Sequence, residues 1–243
     1  MKPPMLPLRY RALPGGCHAE IVVVVDVLRA STTVLAALES GVPSVHAVAE
    51  IEDAFAMGSR GMLVAGERNG IRVAGFDYGN SPLEIAAAGG TGRPLVLCST
   101  NGSRAMLAHD GAIVLIGCIR NAAATARAVL DAAKAGDAVL LQGSGQDGRP
   151  TEEDAIAAGA IGAALAAAGA ALSLDAEANG AMAAWVRASA APAAALLATP
   201  HGRYLASLGL TDDVLYASVL DASRNVVRAR DGVLTLEPRR VHD

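Results

Sequence analysis

Short runs of β-branched and aliphatic residues recur along the chain, apolar at nearly every position, with no alternation between a buried and a solvated face. Such runs predict strands covered on both faces. They fall at residues 21–25, 45–48, 62–65, 95–98, 113–116 and 138–142, with a late one at 214–219. Between them lie alanine-rich stretches of helical length, at about 32–39, 51–58, 82–88, 103–108, 122–135 and 152–168. This alternation is the pattern of stacked βα units. It predicts an α/β fold, a three-layer α/β/α sandwich around a mostly parallel or mixed sheet. Residues 170–209 are mostly Ala and Leu and read as helices laid over that core. The Gly- and Pro-rich stretches 89–94 and 143–150 are short enough to be loops, so residues 1–243 are expected to form a single domain.

Composition narrows the picture by exclusion. Hydrophobic residues make up 52% of the 243 positions, but alanine carries the excess. The strand runs are too short to span a bilayer, and the helical stretches are broken by Gly, charge or polar residues. The chain opens with Met1, Lys2 and three prolines within seven positions, without the apolar segment of a secretory signal. A cytoplasmic protein with no membrane partner is expected. Cys17, Cys98 and Cys118 are odd in number and far apart, which suggests neither a disulfide framework nor a thiolate metal cluster. A net charge of −4, 3% aromatics and no basic run argue against a nucleic-acid surface. Lys2 and Lys134 are the two lysines, so an anionic ligand has to be held by a few arginines. Oligomeric state is not readable, although a homodimer would be unsurprising.

Ligands of α/β proteins gather beyond the carboxyl ends of strands, and the polar residues of this chain are concentrated there. Asp26 follows the most apolar run and precedes Arg29, Ser31 and Thr32. An acid at that tip can bind a metal or attack phosphorus, and Arg29 can grip phosphate oxygens in a bidentate way. A helix cap beside a surface arginine is the plainer reading. Leu28 stands where Asp-x-Asp phosphatases carry their second acid, which makes that class a poor match. The second segment holds Glu67, Arg68, Asn80 and Ser81 among glycines, ahead of Pro82. Glycines let backbone N–H groups approach an anion, and a helix starting at Pro82 turns its positive end toward it. Two tight turns would account for the glycines but not for Glu67 and Arg68.

Thr100, Asn101, Gly102 and Ser103 follow Cys98 and form a small polar cradle at a helix start. The same stretch, from Cys98 to Arg104, fits the Cys-x5-Arg loop of thiolate phosphatases, a pattern short enough to arise by chance. Asn121, after Arg120, is placed to cap a helix or to touch ligand. Thr151 and Asp154 approximate a capping box, and Glu153 and Asp154 lie in an acidic first helical turn. The glycine-rich loop before them would bring them to the sheet edge of Asp26 and Glu67, where several carboxylates suit a hard cation such as Mg2+. The five histidines, His18, His46, His109, His201 and His242, lack zinc-site spacing and read as surface or packing residues. No serine-hydrolase elbow, Walker loop or dinucleotide fingerprint is present.

In their order along the chain, Asp26-x-Leu28-Arg29-Ala30-Ser31-Thr32, the block from Gly66-Glu67-Arg68 to Asn80-Ser81-Pro82, Thr100-Asn101-Gly102-Ser103, and Glu153-Asp154 resemble the 2-phosphosulfolactate phosphatase family. These are the ComB-type enzymes associated with coenzyme M biosynthesis. The resemblance runs from about residue 21 to residue 159 and weakens through the alanine-rich remainder. It implies a Mg2+-dependent phosphatase that releases phosphate from 2-phospho-3-sulfolactate, on a ComB-like α/β/α fold. Asp26, Arg29, Glu67 and Arg68 would be catalytic. Ser31, Thr32, Asn80, Ser81, Thr100, Asn101, Gly102, Ser103 and Asn121 would bind a small anionic phosphoester, with Arg104 or Arg120 adding positive charge. Asp26, Glu67, Glu153 and Asp154 would hold the metal. Cys98 departs from a threonine-like position and Cys118 from a serine-like one, which speaks against an obligatory thiolate. Two other readings stay open, an anion-binding module without turnover and a phosphatase using Cys98 as its nucleophile.

Overall fold

A computed structural model describes residues 5–15, 17–87, 90–109 and 112–238. The opening residues 1–4, the expected helix end at residue 88 and His242 lie outside the described residues. The apolar runs do form strands: β2 (Ile21–Val25), β3 (Val45–Ala47), β4 (Leu63–Arg68), β6 (Leu95–Cys98), β7 (Ile113–Gly117) and β8 (Val139–Gly143). Five more strands complete the sheet: β1 (Leu6–Arg11), β5 (Ile71–Arg72), β9 (Leu172–Leu174), β10 (Val227–Arg230) and β11 (Val233–Leu236). The helices expected from the alanine-rich stretches are α1 (Ala30–Glu39), α2 (Ile51–Gly58), α3 (Pro82–Ala87), α4 (Gly102–Leu107), α5 (Ala122–Ala132) and α6 (Glu152–Ala167). Beyond them come α7 (Ala176–Ala188), α8 (Pro192–Ala198), α9 (Pro200–Ser207) and α10 (Thr211–Ala217).

The α/β class expected from the sequence is the one observed, with a mixed sheet of eleven strands in the order β5-β4-β6-β3-β11-β10-β7-β2-β8-β1-β9. One expected strand is corrected: residues 214–219 overlap α10, not a strand. The apolar run there is too short for periodicity to decide, and the preceding Thr211-Asp212-Asp213 supplies the acidic first turn of a helix. The Ala/Leu-rich region does hold helices, but Leu172–Leu174 inside it pairs with β1 as an edge strand.

The sheet has two parallel blocks, β4-β6-β3 and β7-β2-β8-β1-β9. Between them lies the β10–β11 hairpin, antiparallel to both β7 and β3. Following those pairings across the sheet, the two blocks run in opposite directions. Five strand-to-strand steps separate β2 from β6, and at the usual twist of about 20–25° per step the accumulated rotation is roughly 100–125°. That rotation swings the carboxyl tips of the two blocks toward each other. Helix α1 fills the space between, packed on β7, β11, β3, α3 and α4, and buried at every position from Ala30 to Leu38. Its Ser31, Thr32 and Thr33 are all buried too, and each hydroxyl is spent on a backbone carbonyl: Val24 O, Val27 O and Asn80 O.

On the larger block, α5 and α6 pack on β7, while α6 reaches β2 and β8, and α7 lies across α6 and β1. Small residues make that layer close. A Cβ at Gly159 of α6 would run into the Ala181 carbonyl of α7, so the two helices touch backbone to backbone. Among the described residues no single helix is long and apolar enough to cross a membrane. Helices α7 and α8 satisfy length and composition only as a pair bent by 115°, and α7 spends Ala178, Ala181 and Trp185 on the core.

Candidate active site

The tip of β2 is the centre of a small cleft. It is lined from both blocks and from the late helices: Asp26, Leu28 and Arg29 after β2, Glu67, Asn69 and Gly70 around the end of β4, and Ser99 to Asn101 after β6. Ser144 to Asp147 after β8, Glu153 and Asp154 at the start of α6, and His201 on α9 close it. The expectation of one carboxyl rim is therefore met in a different way, by two opposed blocks whose tips converge.

Asp26 is buried, and its Oδ1 accepts the Ala30 N–H at 3.1 Å. Its backbone N–H is taken by Ser31 Oγ at 2.9 Å. Its other oxygen abuts Gly102, where any Cβ would collide with Asp26 Oδ2 and with Ala30 Cβ. Gly102 thus serves close approach between α4 and α1, and glycine is the one residue that permits it. Burial, and then the charge of Asp154, push the Asp26 carboxyl up to about 8.

Asp154 is the organiser of this corner. Its Oδ1 accepts Val27 N–H at 3.0 Å, and its Oδ2 accepts Ser144 N–H, Ser144 Oγ and Thr151 Oγ1 at 3.2, 3.1 and 3.0 Å. Four donors use the acceptor capacity of one carboxylate and tie the tips of β2 and β8 to the first turn of α6. The expected capping box is thus replaced by a side-chain bond from Thr151 to Asp154. Glu153 beside it is buried, and burial followed by Asp154 raises its carboxyl to about 7. Glu67 is also engaged, accepting Thr100 N–H and Oγ1 at 2.9 and 3.0 Å through Oε1 and Gly70 N–H at 2.8 Å through Oε2. It clamps the β6 loop to the β4–β5 turn.

Arg29 enters the cleft wall with its charge already paired. Nη1 donates to Asp213 Oδ2 at 2.8 Å and Nη2 to the Gly70 carbonyl at 3.0 Å, with both side chains 3% exposed. Asp213, on α10, also accepts from Ser81 Oγ at 2.7 Å. Asn80 lines the cleft, is 4% exposed, and its Oδ1 has no hydrogen-bond partner. A buried polar atom facing a cleft without a partner is a place where a ligand atom belongs.

Of the other residues expected at the site, Thr100 and Asn101 line the cleft and Gly102 backs Asp26. Ser31, Thr32, Ser81 and Ser103 support it from behind, with Ser103 bonded to Ser99. Arg68 points away, donating to the Glu67, Cys98 and Ala49 carbonyls and to Cys98 Sγ. Asn121 is not brought to the cleft; it locks the turn after β7, accepting Cys118 N–H and donating to the Ile116 and Asn225 carbonyls. Arg104 is exposed beside Glu50, and Arg120 stacks 3.6 Å over the Tyr216 ring. Cys98 lies outside the lining, bonded to Arg68 and to the Ala49 carbonyl, and burial raises its thiol above its ordinary value. A thiolate at this loop therefore finds no support.

Asp213, His201, Asn69, Gln146 and Asp147 are site residues that sequence reasoning missed. One local signal pointed to His201: Thr199-Pro200 is a strong helix start, which sets the next residue at a positive helix end. For Asp213 the sequence carries no such signal.

The lining counts Asp26, Glu67, Asp147, Glu153 and Asp154 against Arg29 and His201, and Arg29 is already neutralised by Asp213. Oxygen-rich, buried and short of positive charge, it suits a hard divalent cation. Among the described residues no three His, Cys, Asp or Glu side chains are gathered to hold a metal. Mg2+ is usually held by one or two carboxylates, with water and substrate oxygens completing its shell. Asp26 and Glu153 fit that role, since Glu67 and Asp154 are occupied by hydrogen bonds.

The sequence profile described as 2-phosphosulpholactate phosphatase matches residues 9–232. A probable 2-phosphosulfolactate phosphatase of Deinococcus radiodurans is 37% identical over 223 residues, covering 89% of this chain and 90% of its own. One from Carboxydothermus hydrogenoformans is 37% identical over 225 residues, covering 90% and 91%. One from Parasynechococcus marenigrum is 36% identical over 207 residues, covering 83% and 85%.

Proposed function

Because the chain belongs to the 2-phosphosulfolactate phosphatase family, whose members are hydrolases of phosphoric monoesters, we propose that its cleft hydrolyses 2-phospho-3-sulfolactate to 3-sulfolactate and phosphate, with Mg2+ as cofactor. The observation that carries this reading is the charge of the lining. A phosphate ester that also bears a sulfonate and a carboxylate cannot enter a buried cleft of carboxylates unless cations accompany it.

Asp26 and Glu153 would hold the metal, which when bound supplies positive charge to the phosphoryl oxygens. The chain's own residues then have distinct tasks. Arg29 keeps N–H donors at the cleft wall, its direction fixed by Asp213 and Gly70. Glu67 holds the Thr100 loop in place, so that Asn101 and its neighbours line the pocket in one conformation. Asn80 offers its unpartnered Oδ1, an acceptor, to a hydroxyl or water that comes with the ligand. Asp154 fixes the two strand tips and α6 relative to each other, so the reacting groups need no rearrangement when the ester arrives. Free Cys17, Cys98 and Cys118 agree with work in a reducing cytoplasm.

A phosphate-release assay over small phosphoacids, including 2-phosphosulfolactate, with Mg2+ and with chelator, tests the reading. Release is expected with Mg2+ only, and is expected to vanish in Asp26→Asn and Glu153→Gln while Cys98→Ser stays active. Tight binding of the ester with no release under any divalent metal would establish an anion-binding module in its place.

A further inference from the structure

His201 lines the cleft, can carry a transferable proton, and has no part in the metal role given above to Asp26 and Glu153. Its Nδ1 is closed off from solvent yet has no partner in the protein, while the ring lines the cleft. The ring is held there firmly. Thr199 caps α9 by accepting the Gly202 N–H at 3.0 Å and donates to the Leu196 carbonyl at 2.9 Å. One turn on from His201, Tyr204 donates its hydroxyl to the Asn69 carbonyl at 3.0 Å. The Leu28 carbonyl lies against the imidazole and favours its protonated form. A ring carried by a capped helix into the lining of a site for a multiply charged ester is placed to meet the ligand.

We propose that His201 donates the proton that the ester oxygen of the substrate needs as it leaves phosphorus. This inference rests on the phosphatase reading and deepens it. In the step, a water oxygen bonds to phosphorus and the bond from phosphorus to the C2 ester oxygen breaks. The electron pair of that bond goes to the ester oxygen, which takes a proton from the imidazolium. The proton shed by the attacking water returns the ring, through solvent, to its charged form, so ester and water become alcohol and hydrogen phosphate with nothing left over. The group is suited to the task because the leaving alcohol is aliphatic and a poor leaving group unless protonated. In the empty cleft, burial draws the ring toward its neutral form and Arg29 adds to that, while Glu67 and Asp147 pull the other way. A bound ester with several negative charges joins the second pull.

The test compares phosphate monoesters of graded leaving-group acidity, from 2-phosphosulfolactate to p-nitrophenyl phosphate, on the Mg2+-loaded wild type, His201→Gln and His201→Asn. Both variants are expected to lose about 100-fold or more in kcat on the aliphatic ester, as removal of a general acid does. On the aryl ester, which leaves without a proton, they are expected to stay within a few-fold of wild type. Retained aryl turnover also reports that the variants fold. Equal losses across the series, as for a ring that merely packs or binds a water, overturn the inference and leave the phosphatase reading standing, as does no loss at all. A wild type that releases phosphate from none of the esters sinks both.

Discussion

Asp26 and Glu153 carry opposite demands under the proposed metal role, since holding a cation requires them ionised and burial in the empty fold favours the protonated form. Burial raises Asp26 from an ordinary 3.8 to about 8 and Glu153 from 4.5 to about 7. A carboxyl whose folded value exceeds its unfolded one stabilises the fold fully below the unfolded value, and that contribution is lost as pH rises through the folded one. The metal-free protein is therefore expected to melt at progressively lower temperature from pH 5 to pH 8.5, with a flatter profile in Asp26→Asn. Added Mg2+ should raise the melting temperature most at the alkaline end; a pH-independent melting temperature without metal would contradict the assignment. Arg29 and Asp213 give a second prediction. Asp213→Ala strands a buried guanidinium and the Ser81 hydroxyl, at an expected cost of about 3–5 kcal/mol. Chemical denaturation reads this directly, and a loss below about 1 kcal/mol, the range of exposed pairs, would mean that water reaches Arg29. At this scale the sequence marked Asp26, Glu67, Glu153 and Asp154 as cleft residues because each stands at a strand tip or helix start. It could not divide them into hydrogen-bonded organisers and carboxylates with free capacity, since that depends on which donors lie opposite.

The short helix α4 shows how an element's start is tuned to the site. Gly102 lets its first turn press on Asp26 and Ala30. Gly102→Ala is expected to cost about 1–3 kcal/mol as an overpacking change, and to reduce kcat far more than that loss of stability would suggest, because it pushes on the Asp26 carboxylate. Unchanged kinetics would show that Asp26 tolerates displacement. Most elements were legible from their patterns: uniform apolar runs for β2, β4, β6, β7 and β8, and alanine-rich stretches for α1 and α6. β1 escaped because Pro7, Arg9 and Arg11 break its apolar run; the other misses share one cause. Strands β5, β9, β10 and β11 are two to four residues long, and α10 carries a brief apolar run at its end. A window that short holds too few positions for periods of 2 and 3.6 to differ.

The hairpin β10–β11 joins the halves of the molecule although it comes last in the chain. A protein ending at Val226 would lack both strands, leaving the Ile-, Val- and Leu-rich edge of β7 and the short edge of β3 unpaired. It is expected to show no cooperative unfolding transition and to aggregate; a monomeric truncation with a sharp melt would show that each block folds alone. The sequence by itself determined the α/β class, the strand tips that bear chemistry and the family, because these are written in local hydrophobic runs and in motifs a few residues long. Only the tertiary structure decided that two opposed parallel blocks meet across α1, that Asp213 pairs with Arg29 from 184 positions away, that His201 closes the cleft and that Arg68 and Asn121 turn elsewhere. The physical reason is that a residue's pattern reports how it is buried along its own element. Strand order, accumulated twist and long-range pairing settle which other residues it meets.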